Sequence, residues 1–126
     1  MLFRSGHKFE SRYDEGLLAA WPEGRSVFRE RSPIHAFDRI VAPMLITQGL
    51  DDKVVPPSQL DAMVTALHGR GIPHAAITFE GEGHGYRRAE SRRRLYAAEL
   101  SFLGQVFGFT PADAIEALVI EHLRPA

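Results

Sequence analysis

Apolar residues fall into two short continuous runs, each followed by a longer stripe at helical spacing. Met44-Leu45-Ile46 is unbroken, preceded by Ala42-Pro43 and closed by Thr47-Gln48-Gly49. Proline costs a ladder least at a strand's start, and an unbroken run predicts a strand covered on both faces, as in parallel sheets. His74–Phe79 is the second predicted strand, where Ile77, Thr78 and Phe79 suit a pleated surface. Between the runs, Pro56-Pro57-Ser58 opens a helix in which Leu60, Met63, Val64 and Leu67 make one apolar stripe. Gly69 and Gly71 end it. A longer helix is predicted from about Arg87 to Phe107, with Tyr96, Leu100, Leu103 and Phe107 as its core-facing stripe.

Strand, helix, strand and helix joined by short connections make the βαβ unit of a parallel sheet. Two parallel strands are too few to stand alone, so the pattern reads as part of a larger sheet. The flanks are less regular. Residues 1–33 carry many charges and are punctuated by Gly6, Gly16, Pro22, Gly24 and Pro33. They predict loops with short helices, one near Asp14–Ala20 and one starting around Pro22. Trp21, Val27 and Phe28 are this region's expected core residues, with Trp21 anchoring it by burial. The segment Thr110–Leu118 predicts a short helix capped by Thr110 with Pro111 at its first position, or else an extended strap.

Composition removes several classes of function. The 126 residues are 44% hydrophobic and 25% charged, with a formal net charge of -1. That is ordinary for one modest globular domain and offers no basic excess for nucleic acid or an anionic membrane. The absence of cysteine excludes disulfides, thiolate metal sites and a cysteine nucleophile together. Met1-Leu2-Phe3-Arg4 turns polar too soon for a secretory signal, and no run approaches the roughly 18 apolar residues of a membrane span. A soluble, cytoplasmic protein is the expectation, with neither nucleic acid nor membrane as partner.

The chemistry concentrates in two loops. Gly49-Leu50-Asp51-Asp52-Lys53-Val54-Val55-Pro56 follows the first strand, and Gly81-Glu82-Gly83-His84-Gly85-Tyr86 follows the second. In an open α/β sheet, ligands and catalytic groups gather outside the carboxyl ends of the strands, so both loops would share one edge. An acid followed by a histidine is the order of α/β-hydrolase triads, in which a serine comes first. There the histidine takes a proton from the serine and the acid fixes the ring's tautomer. No G-x-S-x-G pattern occurs in these residues. A loop Asp-Asp pair is more often solvated or a local cap, and a lone loop histidine more often a surface residue. Their joint order and placement favour the triad.

Four stretches carry a family resemblance: Arg31-Ser32-Pro33-Ile34-His35, Ala42 through Gly49, Asp51 through Pro56, and Phe79 through Gly85. With His7–Tyr13, they make nearly the whole chain similar to the catalytic domain of the prolyl oligopeptidase family of serine peptidases. The branch resembling acylaminoacyl-peptidases and dipeptidyl aminopeptidases is the nearest. The resemblance implies an α/β fold, the C-terminal half of an α/β-hydrolase domain with parallel strands flanked by helices. It implies that residues 1–126 form a partial domain from which the nucleophile-bearing half is absent.

The same resemblance makes Asp51 the triad acid and His84 the general base. Asp51 is preferred because the family's acid usually lies two residues before a basic or amide position, here Lys53. Asp52 is the alternative. Lys53 takes a place where such a side chain often meets the substrate backbone. A peptide or acyl-peptide is the implied substrate once the domain is completed, no cofactor is implied, and the 126 residues alone should be inactive. A different reading is a non-catalytic module that completes its sheet by self-association or by pairing with another chain.

Two further clusters carry charge or ligand-type side chains. Arg87, Arg88, Arg92, Arg93 and Arg94 could suit a phosphate, but Glu90 and Glu99 nearby favour a solvated helix face. Asp51, Glu82 and His84 match no metal-ligand spacing, and no metal site is expected in the chain.

Overall fold

The computed structural model describes residues 13–32 and 35–124. Of the residues discussed from the sequence, 1–12 and 33–34 lie outside them, among them Met1-Leu2-Phe3-Arg4, Gly6, His7 to Arg12, Pro33 and Ile34. The chain divides into two compact units, Met1–Ile40 and Val41–Ala126.

Among its described residues the first unit has the short helices α1 (Tyr13–Leu17) and α2 (Arg25–Arg31) and a 3₁₀ turn at Phe37–Arg39. Phe28 is buried on α2, as its apolar character predicts. Trp21 is not the buried anchor expected of it. It is 47% exposed and meets Phe28 edge to face, with ring centroids 5.6 Å apart, a geometry the ring quadrupoles favour.

The second unit contains β1 (Met44–Gly49), α3 (Ser58–Gly69), β2 (His74–Phe79) and α4 (Ala89–Phe107). β1 and β2 pair in parallel, in register from Met44 opposite His74 to Gly49 opposite Phe79. This is the predicted βαβ unit, and among the described residues the sheet has these two strands. α3 follows its predicted stripe, burying Leu60 and Leu67. On β2, Ala75, Ile77 and Phe79 are buried while Ala76 and Thr78 are exposed. That alternation departs from the two-sided cover that the continuous runs predicted.

The core gathers Ile77 and Phe79 with Ala98 and Leu95 of α4, Leu45 of β1, and Leu118. α4 therefore does not face inward with the stripe expected of it. Tyr96 is 63% exposed and Phe107 72%, with Leu103 also exposed, whereas Ala98, Ser101, Phe102 and Gly104 are buried. Small side chains let the helix axis and the folded-back chain come close, which larger ones at these positions would prevent. α4 ends where Gly108 adopts a left-handed conformation (φ 72°), its region closed by the Phe109 N–H donating to the Gly104 carbonyl at 2.9 Å.

The tail is the extended strap, not the helix. Its backbone groups find partners outside the segment, which a helix would have had to supply internally. The Leu118 N–H donates to Ser101 Oγ at 2.8 Å, and Gln105 Nε2 donates to the Leu118 carbonyl at 2.8 Å. Further on, Glu121 pairs with His74 in antiparallel fashion. Among the described residues no helix is long and apolar enough to cross a membrane.

Candidate active site

β1 delivers its chain directly into the acidic loop, and β2 delivers its chain into the glycine-rich one. Parallel pairing puts both deliveries at the same edge. The loops then join through backbone: the Asp51 N–H donates to the Glu82 carbonyl at 2.9 Å, and the Leu50 N–H to the Phe79 carbonyl at 3.0 Å. Around the histidine the turn is tight, with the Gly85 N–H donating to the Gly83 carbonyl at 2.8 Å.

His84 Nδ1 lies 3.0 Å from Asp52 Oδ2. The carboxylate facing the ring is thus Asp52, one residue beyond the preferred Asp51. Asp51 is exposed and is held to the other loop by its backbone. The reason is local. Asp52 Oδ1 accepts the N–H groups of Val54 and Val55, both at 2.8 Å, an Asx-type turn that fixes the carboxylate plane. The remaining oxygen then faces His84, with Gln48 Nε2 behind it at 3.4 Å. Gln48 is buried and also donates to the carbonyls of Gly49 and Val55, at 3.0 and 3.1 Å. Sequence reasoning passed over it; a lone glutamine at a strand's end carries no motif.

The two partners differ in exposure. The Asp52 side chain is 6% exposed and the His84 side chain 59%. Burial pushes the Asp52 carboxyl up, but the Val55 N–H, the His84 ring and the Val54 N–H together outweigh it and hold the group below its ordinary value. Asp52 is thereby an anion at neutral pH that can accept from His84 Nδ1–H. That bond selects the tautomer whose Nε2 lone pair is free for proton transfer.

The other residues singled out in the sequence do not join this pair. Lys53 is exposed on the same loop. Glu82 is buried and accepts the N–H groups of Arg87 and Arg88, at 2.8 and 3.0 Å. The Ser91 hydroxyl, with those N–H groups, keeps its carboxyl below the ordinary value. It secures the approach to α4, so Asp51, Glu82 and His84 are not assembled as metal ligands. Three of the arginines are likewise occupied with backbone: Arg88, Arg92 and Arg94 donate to the carbonyls of Glu80, Tyr86 and Thr78. An open hollow of about 300 Å³ lies beside the pair. Its wall includes Tyr86, whose hydroxyl donates to Thr47 Oγ1 at 2.8 Å.

The prolyl oligopeptidase family profile matches residues 1–110. Dipeptidyl aminopeptidase BIII of Pseudoxanthomonas mexicana is 36% identical over 85 residues, 68% of this chain and 12% of that protein. Dipeptidyl peptidase family member 6 of Caenorhabditis elegans is 34% identical over 106 residues, 80% of this chain and 14% of that protein. Among solved structures, a puromycin-hydrolyzing peptidase of Mycobacterium tuberculosis superposes with a TM-score of 0.87 at 41% identity, covering 95% of this chain and 18% of that one. A puromycin hydrolase superposes with a TM-score of 0.85 at 44% identity, over 92% of this chain and 17% of that one. The 126 residues thus span less than a fifth of each of these proteins. The parallel pair and its helices are part of an α/β-hydrolase fold.

Proposed function

The chain belongs to the prolyl oligopeptidase family of serine peptidases, and we propose that Asp52 and His84 are the acid and base of its Ser-His-Asp triad. The observation that carries this reading is the 3.0 Å contact between His84 Nδ1 and the buried Asp52 carboxylate. The serine and the oxyanion hole come from polypeptide outside these 126 residues. In the completed site, His84 Nε2 takes the serine hydroxyl proton as the oxygen attacks a substrate carbonyl. The tetrahedral intermediate collapses to an acyl-serine when His84 returns that proton to the leaving amine. Water then repeats the sequence, with the same ring as base and then acid, and releases the acid product. Asp52 stays ionised throughout and stabilises the imidazolium.

The bond cleaved is an amide, as in peptides or acyl-peptides; relatives named as dipeptidyl aminopeptidases and puromycin hydrolases support that class. Lys53, exposed on the acid's loop, is the residue that would meet the substrate backbone; its exposure leaves it available for that role. The 126 residues alone have no hydrolytic rate beyond background, because binding and an oxyanion hole supply what survives loss of the nucleophile, and neither is complete here.

A fluorophosphonate probe tests the reading. The isolated chain should stay unlabelled, and adding the serine-bearing segment of a relative should produce labelling that His84→Ala abolishes. Labelling of the isolated chain at one of its own serines would overturn it.

A further inference from the structure

At the N-terminal end of β2, opposite the edge that carries Asp52 and His84, three segments bring imidazoles and a carboxylate together. His68 lies in the last turn of α3, His74 opens β2, and Glu121 and His122 belong to the tail. The tail is held there by backbone: the His74 N–H donates to the Glu121 carbonyl at 3.0 Å, and the Glu121 N–H to the His74 carbonyl at 2.8 Å. Donor atoms of His68, His74 and Glu121 all lie within 4.8 Å of one another. His122 joins them through a left-handed backbone (φ 59°), which sets its ring 4.8 Å from that of His68, centroid to centroid.

Two features of this cluster call for a cation. His74 is fully buried, and its Nδ1 lies 2.8 Å from the Ile72 carbonyl oxygen. A carbonyl can only accept, so Nδ1 carries the proton of the neutral ring and Nε2 presents a lone pair. Among the described residues that Nε2 is buried without a hydrogen-bond partner, and it sits 3.7 Å from Glu121 Oε2. A lone pair facing a carboxylate oxygen is repulsive unless positive charge lies between them. A carbonyl holding the far nitrogen is also the usual support of a metal-bound imidazole.

The second feature is His68 Nδ1. It lies 2.7 Å from Glu121 Oε2 and 3.3 Å from His122 Nε2. One ring nitrogen offers a single in-plane proton or a single lone pair, so hydrogen bonding can satisfy only one of these neighbours. A shared cation satisfies all of them.

We propose that His68, His74 and Glu121 bind a zinc-class divalent ion, with His122 placed to complete four-coordination, and that the ion clamps the tail to α3 and β2. Bonds of about 2.0–2.1 Å in tetrahedral geometry set donor atoms about 3.3–3.4 Å apart. Separations of 2.7, 3.3 and 3.7 Å lie around that spacing, while donor atoms within the trio stand up to 4.8 Å apart, so binding draws the exposed His68 ring inward. Imidazole and carboxylate donors together favour zinc over magnesium or calcium. His68 and Glu121 are exposed, which gives the ion a path in. The sequence led to no metal being expected anywhere in the chain; this cluster, at the other end of the strand from Asp51, Glu82 and His84, departs from that expectation.

The test is titration of the chelator-treated full chain with Zn²⁺ alone, read by calorimetry, and with Co²⁺ as an optical probe. One equivalent should bind, with the intense visible absorption of four-coordinate cobalt and a rise in the thermal midpoint. His68→Ala and Glu121→Gln change exposed residues, and each should keep the wild-type circular dichroism spectrum. Each should weaken binding by at least about 100-fold, the upper end of what losing a mere supporting group costs. His84→Ala should bind as the wild type does. Absence of saturable binding by the folded chain, binding that survives both ligand substitutions, or binding lost with His84→Ala would each overturn the site.

Discussion

A Cβ placed on Gly49 would overlap the carbonyl oxygen of Glu82, so the end of β1 and the loop after β2 meet backbone to backbone. This approach permits the bond from the Asp51 N–H to that same carbonyl. It also sets the distance between the loops that carry Asp52 and His84. Gly49→Ala should push the loops apart and destabilise the chain by about 1–3 kcal/mol, as overpacking does. The urea midpoint and the His84 ring resonances report the two effects. A variant with wild-type stability and unshifted ring signals would show that the loops do not depend on this contact.

The acid can be assigned by separating the two neighbouring aspartates. In the enzyme completed by a serine-bearing segment, Asp52→Asn should lower kcat by about 10⁴-fold, since the amide stabilises neither the productive tautomer nor the imidazolium. Asp51→Asn should leave the rate near that of the wild type, because the Asp51 side chain is exposed and only its backbone N–H bonds across the loops. Steady-state kinetics on the two variants decide it. The reverse order would return the role to Asp51, and equal losses would overturn the assignment of a single acid to Asp52.

What could be read from the sequence was what is encoded locally. The β1 and β2 runs and the Leu60–Leu67 stripe each fit within one element, and each formed where predicted. Asp51 and Asp52 were harder to separate because both precede Lys53 and both can open an Asx turn. Which of them faces His84 depends on free N–H groups two and three residues on in the folded loop, and those belong to Val54 and Val55, beyond Asp52. For α4, size misled: Tyr96, Leu103 and Phe107 outweigh Ala98, Ser101 and Gly104 in any hydropathy pattern. Close packing against β2 and the strap selected the small ones. The histidine cluster was invisible because His68, His74 and Glu121 come from three segments that only the returning tail unites.

The acid limb of the stability curve should depend on Asp52. Its carboxyl titrates lower in the folded chain than in the unfolded one. Ionised Asp52 therefore stabilises the fold fully above the ordinary carboxylate value of about 4. That contribution is lost as the pH falls through the lowered folded value. Wild type and Asp52→Asn should differ most at neutral pH and converge once the pH has fallen through that lowered value. Urea midpoints taken from pH 7 downward measure the convergence. A constant difference across that range would mean that the charge of Asp52 contributes nothing to folding.

Ser101 ties the tail to α4, and its removal separates two ways the strap could be held. The hydroxyl is buried and accepts the Leu118 N–H at 2.8 Å and Gln105 Nε2 at 3.2 Å. Ser101→Ala leaves those donors short of an acceptor, at about 1–3 kcal/mol for a buried group. The cost should appear first as local opening. Hydrogen exchange at the Leu118 and Glu121 amides should accelerate, while Ile77, in the centre of the sheet, keeps its protection. If Leu118 exchange is unchanged, the strap is held instead by packing of the Leu118 side chain on Ile77 and Phe79. Leu118→Ala would then release it where Ser101→Ala did not.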